Sequence, residues 1–454
     1  MSHRDVRDFY GRAYRVGETP HQIMGRSRAW MLWLPWVAMM AAGVFQYGYG
    51  AMAQTIAQAH GWSLAQAFWV LAIWAVFQGG VAYPVARLRD RGVLSARTAM
   101  LAGALLCLAG VLTIAHTAVL ALVVLGYSVL GGVGCGLVYA TSLNMVGKWY
   151  PERRGPLVGF VTGGFAYGAV PFIFLFGYAG STGNYVAILD VAGIVIFAVV
   201  AACGLLYRDP PKNWWPPHID PQTWALDRTS NRSLAKNPPA VRQYAPLEAL
   251  RSGMLPLMYV ILIFVSGVSL FGVAYQVAFA HESGFGPFVA ATSMGVLAVV
   301  NGAGRPFVGW VSDRLGRRGT LTVVLLVLGL AQLGLLVAGE QRSAPLLLAF
   351  AFLAGLGGGA FHPLFAGLVP DYFGETNNGV NFGVVYSAKL VSGVAGIGLA
   401  ASVITATGYR GAYLLAGSLA IVGAVLTRLL HQPGRPRVAH TLPDSKSFET
   451  AYGR

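Results

Sequence analysis

A chain of 454 residues that is 56% hydrophobic and only 11% charged does not fit the soluble globular class, where about 25% of residues are charged. Its net charge of +15 would point to nucleic acid only if the basic residues gathered on a soluble face, so their positions decide what the sum means. Cys107, Cys135 and Cys203 lie singly in apolar runs, which argues against a disulfide framework or a metal cluster and for core packing.

The chain opens with a polar head, residues 1–28, that carries six arginines. The first apolar run, from Trp30 to about Gly50, is longer than a signal-peptide core and lacks a cleavage motif, so it predicts a spanning helix. Runs of about 20 residues, enough to cross a ~30 Å hydrocarbon core as helix, recur near 66–86, 97–116, 119–146, 156–179 and 186–207. Residues 208–253 are too polar to span and hold eight prolines, which predicts a connector. Six further runs follow near 254–280, 287–311, 319–338, 344–369, 379–402 and 411–430. The pattern predicts an all-α membrane protein: a head (1–28), a six-helix bundle (29–207), the connector (208–253), a second six-helix bundle (254–431) and a tail (432–454). Neither connector nor tail reads as a folded domain.

Of the 32 Lys and Arg, 28 fall in the head, the connector, the tail and the connections after the second, fourth and eighth runs. Only Arg342 and Arg410 fall on the other side, so the positive-inside rule puts both termini and the connector in the cytoplasm. The basic excess is therefore a topology signal, and no nucleic-acid partner is expected. The expected setting is multi-pass in the plasma (cytoplasmic, or cell inner) membrane, with lipid as the surrounding partner and a monomer as the expected state. Two cations remain, Arg305 and Lys389, both inside helices.

The halves repeat at an offset of 223 residues. The shift carries Asp90-Arg91 onto Asp313-Arg314, Gln78-Gly79 onto Asn301-Gly302, and Gly132, Gly134 and Gly136 onto Gly355, Gly357 and Gly359. Two bundles related by a pseudo-twofold axis along the membrane normal follow. The glycine ladder sits in an apolar run, so it marks close helix approach rather than a phosphate cradle. No Walker A pattern occurs, which disfavours an ATP-driven pump, and no cofactor is expected.

The loop GWVSDRLGRRGT (309–320), its degenerate partner PVARLRDRGVLSARTAM (84–100) and the duplication resemble the major facilitator superfamily over nearly the whole chain. More narrowly, GGVGCGLVYATSLNMVGKWYPERRG (131–155), the arginine of NGAGRPFVG and the lysine of VVYSAKLVSG are similar to the oxalate/formate antiporter family. That resemblance implies transport of small mono- or dicarboxylates, with Arg305 and Lys389 holding the anion. The Gly-Arg-Pro triplet also resembles the monocarboxylate transporters, whose pattern has an acid four residues before the arginine. Asn301 stands there in this chain, which removes the acid that would carry a coupling proton.

The residues support that site independently. Eight residues from Asp313 put Arg305 about 12 Å deep, and eleven from Asn378 put Lys389 about 16 Å deep, at 1.5 Å per helical residue. A cation at that depth costs about 2.5–3.5 kcal/mol by insertion scales, and the sequence places no carboxylate there; Asp190 lies near the outer end of the sixth run. Two unpaired cations imply a wet cavity and an anion that completes the pairing. The alternative is that backbone carbonyls satisfy each, or that Lys389 is neutral. His362 is a candidate donor or proton carrier, and equally a packed imidazole. Tyr386, three residues before Lys389, is a candidate wall, with helix packing as its alternative. Tyr139, Gln78, Tyr49 and Asn301 complete the candidate substrate site, with Gln46 and Tyr47 as weaker members. Asp90, Arg91, Asp313, Arg314, Arg317 and Arg318 are the candidate gate, latching helix ends in one conformation, or else simple topology anchors.

Exchange follows from the charges, since closing an empty site would desolvate two uncompensated cations. A proton-coupled symporter, with His362 in place of the missing acid, is the second expectation. A membrane sensor or scaffold on a transporter fold is the third. An enzyme is not expected, because a mid-membrane histidine without companion acids or cysteines forms no catalytic set.

Overall fold

The computed structural model describes residues 4–7, 12–180, 182–227 and 232–434; most of the tail predicted at 432–454 lies outside these described residues. Among the described residues, ten helical stretches are long and apolar enough to cross a membrane. They are α2 (Leu64–Asp90), α3 (Ala96–His116), α4 (Leu120–Trp149), α5 (Pro151–Gly177), α6 (Tyr185–Leu206), α7 (Met254–Glu282), α8 (Pro287–Leu315), α9 (Arg317–Glu340), α10 (Ala344–Phe373) and a 52-residue stretch, Asn378–Leu429. That last stretch is two spans, α11 and α12, separated at Gly408, whose φ of 68° and ψ of −179° break the helix in a way open to glycine. The remaining span, α1, consists of Trp30–Ala42, a π-helical turn Val44–Gly48 and Tyr49–His60. The count is twelve, six on either side of the connector.

The helices overrun the apolar stretches read from sequence. Residues 51–60 are too mixed to score as hydrocarbon-facing, yet they continue α1 to His60, where Gly61 takes a left-handed conformation and ends it. Ser63 then caps α2 with Gln66 in a reciprocal capping box, so the turn between the two spans is set locally.

The duplication is written in the packing. A Cβ built on Gly132 would lie 2.8 Å from Trp74 O, and one on its repeat partner Gly355 would lie 2.5 Å from Leu297 O. One turn on, a Cβ on Gly136 would meet Gln78 O at 2.8 Å and one on Gly359 would meet Asn301 O at 2.0 Å. Each contacted residue also maps onto its counterpart by 223 positions, so α2 against α4 and α8 against α10 are the same joint built twice. Only backbones without side chains come this close, which is how small residues substitute for a hydrophobic driving force in lipid.

The head and connector carry more order than their polarity suggests. Strands β1 (Arg4–Arg7) and β2 (Ala13–Val16) pair antiparallel, and Arg15 bridges onward to Trp214 of the connector. Trp214 and Trp215 are buried, with Trp214 packed on Trp149 at 4.9 Å and Trp215 between Tyr14 and Trp224. The later connector is tied to the second bundle: Asn237 donates to Ser312 O (3.0 Å) and accepts from Arg317 N (2.7 Å), and Tyr244 N donates to Phe373 O (2.9 Å). The segment is a strap whose two parts dock under the two bundles at the end bearing the basic loops, the basic end below.

Candidate anion site between the bundles

Two prolines prepare the site. Pro306 in α8 and Pro363 in α10 supply no N–H, so the carbonyls of Gly302 and Gly359 lose their helical donors. His362 Nδ1 lies 3.2 Å from Gly359 O and answers that second vacancy, which assigns Nδ1 as the protonated nitrogen and turns Nε2 to the other side of the ring. On α11, Lys389 falls between a helix irregularity at Ser387 and the π-helical turn Val394–Leu399. On α1, Gln46 and Tyr47 are adjacent members of the π turn. Single π turns inside α-helices re-aim side chains, and they recur at functional sites.

These elements converge on two cations. Arg305 is 1% exposed. Its Nη1 donates to Thr162 O of α5 (2.6 Å), its Nε to Asn301 O (3.2 Å), and its Nη2 to both Asn301 Oδ1 (2.7 Å) and Tyr47 Oη (3.1 Å). The Tyr47 hydroxyl in turn donates to Asn301 Oδ1 at 2.8 Å. Lys389 is 4% exposed; its Nζ donates to Gln46 Oε1 at 2.6 Å and lies 5.4 Å from the Trp74 ring centre. Every partner is neutral: among the described residues no carboxylate pairs with either cation. The expectation of cations without protein partners therefore needs refining, since carbonyls, an amide and a hydroxyl meet their hydrogen-bonding capacity and leave their charge uncompensated.

An aromatic wall stands beside them. Tyr386 stacks on Tyr139 at 5.2 Å and accepts a 3.4 Å hydrogen bond from Gln78 Nε2, while Phe165 meets the Tyr139 edge at 5.3 Å. The His362 ring lies 6.4 Å from Tyr386 and within electrostatic reach of both Arg305 and Lys389. Gln78 Oε1 and Asn301 Nδ2 are buried without hydrogen-bond partners among the described residues, two repeat-related amides each with one unanswered group. Buried polar atoms are seldom left so, which marks a place for a ligand or water. Tyr49 is turned away from this cluster: its hydroxyl donates to Ala67 O at 2.7 Å and its ring packs on Tyr127. Asp190, the acid near the far end, pairs with His116 at 2.8 Å.

The six charged residues expected at the gate divide. Arg317 joins Asp313 (2.8 Å) and Asp371 in one half-buried cluster, steadied by Ser233 of the strap at 3.4 Å from Asp313. Asp313 faces the start of α5, where a Cβ on Gly155 would lie 3.7 Å from its Oδ2, and Asp90 faces the start of α11, with Gly379 in the same role at 3.2 Å. Each bundle thus offers a carboxylate to a helix N-terminus of the other, a favourable charge–dipole contact. Arg314 instead lies over the Trp310 ring (3.9 Å), Arg318 Nη1 donates to Leu430 O (2.8 Å), and Arg91 is exposed. Sequence reasoning passed over the inter-bundle pair Arg154–Glu375 (2.6 Å) and the buried Arg89–Asp209 pair (2.6 Å). It undervalued Gln46 and Tyr47, whose signal was two polar groups inside an apolar run.

The sequence profile described as Major Facilitator Superfamily matches residues 36–343 and 257–451. The oxalate:formate antiporter of Oxalobacter formigenes is 25% identical over 323 residues, covering 70% of this chain and 72% of that one. Human monocarboxylate transporter 12 is 27% identical over 358 residues, covering 73% and 67%. Among solved structures, a D-xylose–proton symporter superposes with a TM-score of 0.65 at 14% identity, over 89% of this chain and 98% of that one, a likeness of fold.

Proposed function

Since the chain belongs to the major facilitator superfamily, it is a membrane transporter, and we propose that its cargo is a small mono- or dicarboxylate moved by exchange through alternating access. One observation carries this reading: Arg305 and Lys389 are buried on α8 and α11 with only neutral partners. A carbonyl or hydroxyl completes a hydrogen bond, but only an anion cancels the charge. Closing the bundles around two bare cations costs on the order of several kcal/mol more than closing them around a neutralised set. The empty carrier is therefore slow to return and the loaded carrier fast, which makes exchange the natural traffic. The relatives named for oxalate, formate and monocarboxylates point to the same cargo.

In this mechanism the entering carboxylate takes Arg305 from Tyr47 and Lys389 from Gln46, and the unanswered Asn301 Nδ2 offers it a further donor. The Tyr139–Tyr386 wall and His362 bound its size. The Arg317 cluster and the crossed carboxylate–helix contacts hold the basic end shut while the other end is open. That end is assigned to the cytoplasm, with the head (1–28), connector (208–253) and tail (432–454) on the same side.

Proteoliposome counterflow tests the proposal. Labelled oxalate or formate should enter only against a carboxylate on the far side. Rapid net efflux into anion-free buffer would overturn exchange, and uptake driven by a pH gradient without any trans anion would replace it with proton symport through His362.

A further inference from the structure

A cavity lies away from the anion site. It has a volume of about 1070 Å³ and opens at the basic end of the second bundle alone, under the strap. Its walls are the start of α7, the start of α9, the end of α10 and the end of α12, so it lies at the depth where spanning helices stop and lipid headgroups begin.

Its charge is one-sided. Lys236 of the strap, Arg317, Arg318 and Arg428 line it, and Asp371 is the acid among the described lining residues. Asp371 is already engaged by Arg317. Arg318 directs one N–H to Leu430 O, and its other N–H groups have no partner among the described residues. Lys236 and Arg428 are exposed cations without an ion pair among the described residues. Deeper in, the lining turns apolar with Leu257 and Leu368, and at the rim Leu315 and Leu429 are 71% and 59% exposed, side chains suited to acyl chains rather than water. A cationic mouth over an apolar interior, between spanning helices at headgroup depth, is the arrangement that recognises a phosphate carrying a hydrocarbon tail.

We propose that this cavity binds the headgroup of an anionic phospholipid, with Lys236, Arg318 and Arg428 on the phosphate and the acyl chains leaving over Leu315 and Leu429. The site is separate from the carboxylate site and does not depend on it. Arg317 belongs both to the cavity wall and to the Asp313–Asp371 cluster, so a phosphate in this cavity competes for the same guanidinium that holds the basic end together.

The test is native mass spectrometry on the full-length protein from mixed micelles of phosphatidylglycerol and phosphatidylcholine, with thermal melting in parallel. The wild type should retain phosphatidylglycerol preferentially and melt higher in its presence. Lys236→Gln with Arg428→Gln should lower that preference roughly 30-fold, as expected for two interfacial cations. The double variant should melt as the wild type does in phosphatidylcholine alone, which shows that it is folded. An undiminished lipid preference in the folded double variant would overturn the site. Equal protection by glycerol phosphate or inorganic phosphate at millimolar concentration would overturn the lipid as its source and assign the cavity to a soluble phosphate compound. Should the double variant not fold, Arg428→Gln alone, read against Arg428→Lys as the charge-preserving control, decides the same question.

Discussion

Arg305 and Arg317 stand twelve positions apart and are both largely enclosed by protein, yet they are furnished in opposite ways. Arg317 meets two carboxylates, Asp313 and Asp371, and the protein completes its charge. Arg305 meets Thr162 O, Asn301 and Tyr47, and the protein completes only its hydrogen bonds. The first arrangement is a fastener. The second is a fastener with its negative part left out, and in the proposed function that omission is where a travelling anion would fit. The difference also separates the two ways a buried arginine matters: removing one half of a paired cluster exposes the other half, whereas removing Arg305 removes the binding charge itself.

Mutations can break this contrast in order of size. Arg305→Ala should reduce carboxylate exchange by at least about 100-fold and abolish stabilisation by oxalate or formate in a melting assay, in line with the 2–5 kcal/mol attached to a buried charged contact. Lys389→Ala should do the same for dicarboxylates and less for monocarboxylates; equal exchange by either variant and wild type would sink the anion site. Asn301→Asp tests the contrast from the other side by giving Arg305 the carboxylate that Arg317 has. Near neutral pH the added charge should lower affinity by on the order of 10–100-fold. Protonation removes that added charge, so exchange should recover toward acid. A flat pH profile in that variant would be the contrary result.

Arg317→Ala leaves Asp313 and Asp371 as half-buried acids without their arginine and should loosen the basic end rather than the anion site. Expected are a turnover roughly tenfold lower at an unchanged KM and greater labelling of a cysteine introduced at Gly155, with the effect shared with Asp371→Asn. The smallest effect belongs to Gln46→Ala, which removes a neutral partner of Lys389. A several-fold change in KM, without loss of turnover, is the outcome to measure.

Much of the architecture could be read from residue order because each physical signal is strong on its own. Apolar runs matched to the bilayer gave the spans, and the 223-residue offset gave the duplication that recurs atom for atom in the Gly136–Gln78 and Gly359–Asn301 joints. The far end of α1 was less legible, because residues 51–60 are amphipathic rather than apolar, whereas the break read between 402 and 411 brackets Gly408. Arg305 and Lys389 announced themselves because a cation in an apolar run is expensive. Gln46 and Tyr47 did not, since amides and tyrosines occur in spanning helices for many reasons and only the π turn aims these two at the cations. The hairpin of β1 and β2 was hidden for a different reason: Tyr14, Trp214 and Trp215 are far apart in sequence and become a cluster only when the head meets the connector.

The placing of Gln46 and Tyr47 on one π turn of α1 has a kinetic meaning. Their ties to the two cations spring from the same turn, so in the proposed mechanism a rotation of that turn would carry both side chains away together. Such a carrier would behave as a double-pole switch, thrown once per crossing, rather than as two locks opened in sequence. Anions that dock while leaving that turn in place would not throw it, and such compounds should inhibit without being carried.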